Sequence, residues 1–382
     1  GLGDVYKRQG YKNGSEAGAY FTVIANPSLK WETQISTDIA LEFGLFDRLT
    51  GTIEYFKKDS KDLLFDVSQP ASVGVTSIIQ NIGKVTNSGV EIELDYNAFK
   101  NKDWSVSVGA NATFVKNKIK NLPATMKENG YISGSKKWLE GKSIYEFWLR
   151  QWHGVDPQTG DGLYVADVSK YNQGNIGTGD GNITQSQFDE YKKTVVTIDG
   201  KELTNSYTYA KYDFSGSSIP DVYGGFNVRV SYKNFDLAAV FSYQLGGQIL
   251  DTNYATMMSM TEFGYAQSPD LLKAWKQAGD ITEVPRIDNS AAHTTNIGQS
   301  YSTRWLTSSD YLNLRSVTIG YQLPKTWLSK VMLKSARLNL TAENLFMLKA
   351  RQGLNPMANY SGVTYNEYMP SRNITLGLNV SF

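Results

Sequence analysis

The sequence predicts an all-β fold, an antiparallel barrel that crosses a membrane with its strands. About nine segments alternate apolar and polar residues over strand length, the gaps between them are short and long by turns, and one face of the strands is too charged for lipid. Tyr 24, Phe 16, Trp 8 and Gly 34 make an aromatic- and glycine-rich profile, while 41% hydrophobic residues and a mean hydropathy of -0.37 are ordinary. No run approaches the roughly 18 apolar residues that a membrane helix needs, which excludes a helical membrane protein. Alternating strands escape such averaging. A net charge of +1 argues against nucleic acid as a partner, and zero cysteines exclude disulfides, thiol catalysis and Cys-zinc sites.

The strands follow in order. TQISTDIALEFGLF (33–46) sets Ile35, Thr37, Ile39, Leu41, Phe43 and Leu45 against Gln34, Ser36, Asp38, Ala40, Glu42 and Gly44. LTGTIEYFKKD (49–59), NSGVEIELDYNAF (87–99), WSVSVGANATFVKN (104–117), VYGGFNVRVSY (222–232), FDLAAVFSYQLGG (235–247), YLNLRSVTIGYQL (311–323) and ARLNLTAENLFML (336–348) continue the pattern. The ninth is NITLGLNVSF (373–382), where Ile374, Leu376, Leu378, Val380 and Phe382 alternate with small polar residues. One helix is predicted, over PDLLKAWKQAG (269–279), from Leu271, Leu272 and Trp275.

Gaps after the first, third, fifth and seventh strands are turn-like; those after the second, fourth, sixth and eighth run to roughly 25, 100, 60 and 20 residues. That parity fits tight periplasmic turns and large extracellular loops, and it puts Phe382 at the periplasmic rim. A soluble antiparallel sandwich shares the alternation, but nothing in it demands the parity. Glu91, Glu93 and Asp95 share one strand face, where lipid would cost several kcal/mol each, so they are assigned to a wet lumen wall. Tyr55, Trp104, Tyr232, Tyr243, Tyr311, Tyr321 and Trp327 lie at strand ends, as girdle aromatics do.

Chemistry is sparse. His153 and His293 sit in no metal motif, no nucleophile elbow or P-loop occurs, and no catalytic residue is assigned. Gly177, Gly179 and Gly181 lack the flanking strand and helix of a nucleotide fingerprint. Asp180, Asn182 and Thr184 occupy positions 1, 3 and 5 of an EF-hand-like loop that lacks its bidentate glutamate, a weak calcium site and the one cofactor considered. Ligand or partner contact is assigned instead to loop aromatics, whose rings offer an apolar face and a wet edge: Trp138, Trp148, Trp152, Tyr164, Tyr254, Tyr301, Trp305 and Tyr360, half of them at most touching ligand.

NPSLKWET (26–33), NIGKVTNSGVEIEL (81–94), GVDPQTGDGLY (154–164), the stretch 223–247, YLNLRSVTIGYQLP (311–324), ENLFML with GLNP (343–348, 353–356) and PSRNITLGLNVSF (370–382) resemble successive motifs of the SusC/RagA-type TonB-dependent outer-membrane transporters. The resemblance runs from about residue 20 to the end. It implies the C-terminal part of a 22-stranded barrel in a Gram-negative outer membrane, without the plug domain and TonB box that lie N-terminal in the family. Residues 21–382 are assigned to that partial barrel and residues 1–20 to a non-barrel segment whose first nine, GLGDVYKRQ, read as foreign sequence. The resemblance further implies no enzymatic activity. It implies import of glycans, or alternatively oligopeptides, with a SusD-like surface lipoprotein over the loops and a TonB complex as the energy source, and it makes the ninth strand the barrel-assembly signal. A passive porin or a surface adhesin is the alternative of another class.

Overall fold

The computed structural model describes residues 5–13, 16–23, 26–68, 77–179, 181–260, 264, 266–299, 301–328 and 333–382. Val5–Asn13 and Glu16–Val23 pair as an antiparallel two-stranded sheet of their own, which begins in the stretch 1–20 set aside as non-barrel and runs three residues past it. The chain forms two compact units: residues 1–98, 107–133 and 137–144 make the first, and 99–106, 134–136 and 145–382 the second.

In the first unit β1 (Thr33–Leu45), β2 (Leu49–Ser68), β3 (Ser77–Lys100) and β4 (Trp104–Asn121) run as an antiparallel meander. Register decides what each face shows. Leu41 pairs with Ile53 and Ile53 with Ile92, while Glu42 pairs with Thr52 and Thr52 with Glu93. Apolar residues therefore stand together on one face and hydroxyls and carboxylates on the other. The apolar face is bare: Ile39 and Leu41 are 64% and 63% exposed.

The predicted gap of about 25 residues after β2 is mostly strand, because β2 and β3 continue to Ser68 and from Ser77. The alternation was lost to sequence reading there because Asp62, at φ 56°, breaks the register between Ser60 and Leu63. Past that bulge Leu63, Phe65, Val85, Ile119, Leu122, Met126, Trp138 and Ile144 build a small dry core. Phe65 lies over Gly83, where a Cβ would stand 2.3 Å from its ring.

The second unit carries β5 (Val222–Tyr232), β6 (Phe235–Leu245), β7 (Tyr311–Gln322), β8 (Ser335–Glu343) and β9 (Asn373–Ser381), all antiparallel. One row crosses all five strands: Val230, Leu237, Ile319, Leu340 and Leu376 are successive cross-strand partners. Its last four members are 39%, 48%, 43% and 69% exposed. A water-soluble sheet would bury such a face, since each large aliphatic side chain gains about 1.5–3 kcal/mol on leaving water; here the apolar solvent must be lipid. The opposite face is polar. Thr318 and Thr341 share a hydrogen bond of 3.1 Å beside Thr375, and Arg337 reaches across Gly320 to Asp236 at 2.6 Å.

Tight turns sit where the parity places them, at Lys233 with φ 51° and at Phe46 and Asp47 with φ 56° and 52°. Aromatics mark this end: Trp104 against Tyr232 and Phe235 against Tyr321, both with ring centroids 4.3 Å apart. At the other end Tyr311 leaves the predicted girdle. A bulge in the β6–β7 pairing skips Arg315, so Tyr311 pairs with Gln244 and takes the face opposite Tyr243. The eighth strand also ends early, at Glu343; Asn344 turns at φ 51° and Met347–Lys349 rejoins β7 at Tyr311–Asn313. The predicted helix over 269–279 is only a 3-10 turn, Pro269–Lys273, because Trp275 spends its backbone N–H on the Val284 carbonyl.

Candidate functional site

Long connections of the second unit fold on themselves into a layer with its own cores. Glu146–Arg150 pairs with Tyr212–Ser217, and Trp152–Val155, Gly162–Val165, Lys201–Thr204 and Val195–Ile198 form a four-stranded sheet. Helix α1 (Gln185–Thr194) opens with a capping box, in which Thr184 accepts from the Gln187 N–H at 3.2 Å and the Gln187 side chain accepts from the Thr184 N–H at 2.8 Å. α1 packs Phe188 and Tyr191 against Tyr171 and Tyr209. A larger core gathers Phe147, Leu149, Leu250, Met258, Trp305 and Val363.

Thr184 thus caps a helix, which weakens the calcium reading at its third ligand; Asp180 lies outside the described residues, and Asn182 closes a turn through its N–H to the Gly179 carbonyl. A helix does follow Gly177, Gly179 and Gly181, contrary to expectation: Thr184 and Gln187 cap it, and only Phe188 and Tyr191 supply its buried face, too few to show a helical period in the sequence.

The eight loop aromatics separate by burial. Tyr164 is fully buried and its hydroxyl donates to the Asn296 carbonyl at 2.6 Å; Trp305, 2% exposed, donates its indole N–H to the Gln299 carbonyl at 3.0 Å. Neither has a ring face to offer a ligand. Trp138 packs with Phe65 and Tyr131 in the first unit's small core. Trp148 stacks near Tyr212, Trp152 meets Tyr164 edge to face, and Tyr254 donates to Asp270 at 2.8 Å. Tyr301 and Tyr360 remain 40% and 49% exposed.

Sequence reasoning missed the cations that organise these rings. Arg304 lies between Trp152 and Trp305, 4.7 and 4.3 Å from their centroids, and donates to the Ile297 carbonyl at 2.9 Å. Burial pulls its pKa down to about 10, which leaves it charged at neutral pH. Arg351 lies 3.6 Å over Tyr254, and Arg150 faces Tyr207 and Tyr212. Arg150 two residues after Trp148 and Arg304 beside Trp305 were the available signal.

A cleft of about 610 Å³ opens in this layer, lined by Asp161, Asn205, Ser206, Tyr207, Arg286 and the exposed face of the Ala291–Ile297 helix. Arg286 donates from Nε to Asp161 at 3.0 Å and from Nη1 to Asp288 at 2.5 Å. His293 is buried, its Nε2 2.8 Å from the Arg286 carbonyl and its Nδ1 3.9 Å from Asp161, and burial lowers its pKa below 6.5. On the first unit, Glu91 pairs with Glu54 and Asp95 with Thr50, on the strand face that carries the hydroxyls and carboxylates. Like charges directly opposite repel unless water screens them.

A family model described as "TonB dependent receptor-like, beta-barrel" matches residues 2–182. TonB-dependent receptor P3 of Formosa agariphila is 29% identical over 96% of this chain and 36% of its own length; TonB-dependent receptor SusC of Bacteroides thetaiotaomicron is 24% identical over 94% and 32%. The chain therefore spans about a third of the curated relatives it matches. Among solved structures, that of the RagAB peptide transporter superposes with a TM-score of 0.76 at 24% identity, over 100% of this chain and 38% of that one. The RagAB peptide importer in its closed-closed state gives 0.74 at 26%.

Proposed function

The chain belongs to the TonB-dependent receptor β-barrels of the SusC/RagA type, outer-membrane proteins, and from that premise we propose that the receptor it forms part of imports oligosaccharide nutrients actively. The wall supplies a lipid face and a wet face, the loops select, and no bond in the cargo is broken. Energy comes from a TonB complex acting through parts of the receptor outside this chain, and a SusD-like lipoprotein covers the loop layer, where Tyr301 and Tyr360 keep exposed rings for lid or ligand. Support for the transport half of this reading rests on one observation: an unbroken apolar row across five strands with hydroxyls and a charged pair on the other face.

Oligopeptide cargo is the second reading, favoured by the likeness to the RagAB peptide transporter. The test is uptake by cells carrying the full-length receptor, with labelled neutral oligosaccharides and oligopeptides offered separately. Active import predicts uptake that stops when an uncoupler collapses the proton gradient. Uptake indifferent to the uncoupler would make the barrel a passive pore.

A further inference from the structure

We infer that the cleft between Arg286, Tyr207 and the Ala291–Ile297 helix binds a neutral oligosaccharide. The import reading explains how such a ligand reaches the loops; the ligand class comes from the cleft itself. Its volume of about 610 Å³ lies within the roughly 300–1,000 Å³ usual for small-ligand sites.

The one cation of the cleft is already used. Arg286 is shared by Asp161 and Asp288, and His293 stays neutral because burial disfavours its cation. An anionic cargo finds no free counter-ion there. A sugar hydroxyl, by contrast, donates once and accepts twice, and it needs both kinds of partner side by side. The cleft supplies them: the side chains of Asn205, Ser206 and Thr295 line it without a protein hydrogen-bond partner among the described residues, and Asp161 keeps Oδ2 unbonded.

The site is held in place from behind. Arg150 donates to the Tyr207 carbonyl at 3.0 Å, and Asn296 accepts from the Tyr207 N–H at 2.6 Å and donates to the Gly162 carbonyl at 3.3 Å. A peptide would call for apolar recesses to receive its side chains. Apart from the Tyr207 ring and threonine methyls, the alkyl groups here are those of Ala291 and Ala292.

The test is calorimetric titration of the detergent-solubilised full-length receptor with a panel of neutral oligosaccharides and a panel of oligopeptides of matched length. Wild type, Ala292→Trp and Asn205→Ala are compared; both altered residues are exposed, so neither change disturbs the loop core. Saccharide binding weakened at least tenfold by Ala292→Trp and threefold or more by Asn205→Ala is the expected result. Saccharide binding that neither change affects moves the site elsewhere, and binding of peptides only, or of neither panel, overturns the ligand class. Uncoupler-sensitive uptake that persists under either adverse outcome leaves the import reading standing and removes the cleft from it.

Discussion

Placing arginine at Leu376 and, separately, at Thr375 moves the same charge by one residue and changes the solvent it meets. Leu376 closes the apolar row that starts at Val230, whereas Thr375 pairs with Thr341 on the hydroxyl face. Depth follows from the strand. Phe382 lies six residues beyond Leu376, about 20 Å at ~3.4 Å per residue, which a tilt of about 40° reduces to about 15 Å of height. The apolar band of such barrels is about 25 Å tall, so Leu376 sits within a few ångströms of its midplane. There arginine costs about 2–4 kcal/mol, while a substitution on the water-facing side usually stays within about 0.5 kcal/mol. Urea-dependent refolding of the full-length receptor into phosphatidylcholine vesicles, followed by heat-modifiable gel mobility, measures both without the cellular assembly machinery. Equal losses, or the larger loss at Thr375, would refute the assignment of faces.

Gly320→Val should displace the Arg337–Asp236 pair and cost about 0.2–1 kcal/mol in the same assay, because a Cβ at Gly320 would stand 2.2 Å from Arg337 Nη2 and 2.7 Å from the Asp236 carboxylate; an unchanged midpoint would mean the pair has another path. Tyr164→Phe leaves the buried Asn296 carbonyl without its donor and should lower the stability of the loop layer by about 1–3 kcal/mol, read as faster hydrogen exchange across 291–297. Lys136, whose ammonium lies 3.1 Å from the Phe147 centroid and donates to the Tyr145 carbonyl at 2.9 Å, has its pKa lowered to about 7 by burial. The folded value lies below the unfolded 10.5, so between them the unfolded chain holds the extra proton. Loop-layer stability therefore rises as pH climbs from about 7 toward 10.5, and the full penalty is present below 7. Lys136→Met should flatten that slope in protease-sensitivity profiles; an unchanged slope would assign it to other groups.

The wall was legible because period-two alternation is local: each strand declares its two faces without reference to any other. Ile35 to Leu45 and Ile374 to Phe382 needed only neighbours two residues away. Reading failed where one residue breaks the period, at Asp62, at Arg315 and at Asn344, since a bulge shifts the pattern by one and sends Tyr311 to the unexpected face. The cleft was illegible for a different reason. Asp161, Tyr207, Arg286 and His293 are brought together by loops that follow no period, and composition named the aromatics of that layer but not the arginines that hold them.

The separation of apolar residues into two solvents bears on how the loop layer can evolve. Leu237, Ile319, Leu340 and Leu376 are exposed and gain from lipid, whereas Phe147, Leu149, Leu250 and Trp305 are buried against one another. Stability of the second set does not draw on the membrane. Substitutions lining the cleft, such as those at Asn205 and Ala292, are exposed in a layer already anchored by its own core and by Arg304 between two tryptophans. Such positions usually shift stability by less than about 0.5 kcal/mol. Cargo selectivity can therefore drift through the cleft while the wall, fixed by register and lipid, stays as it is.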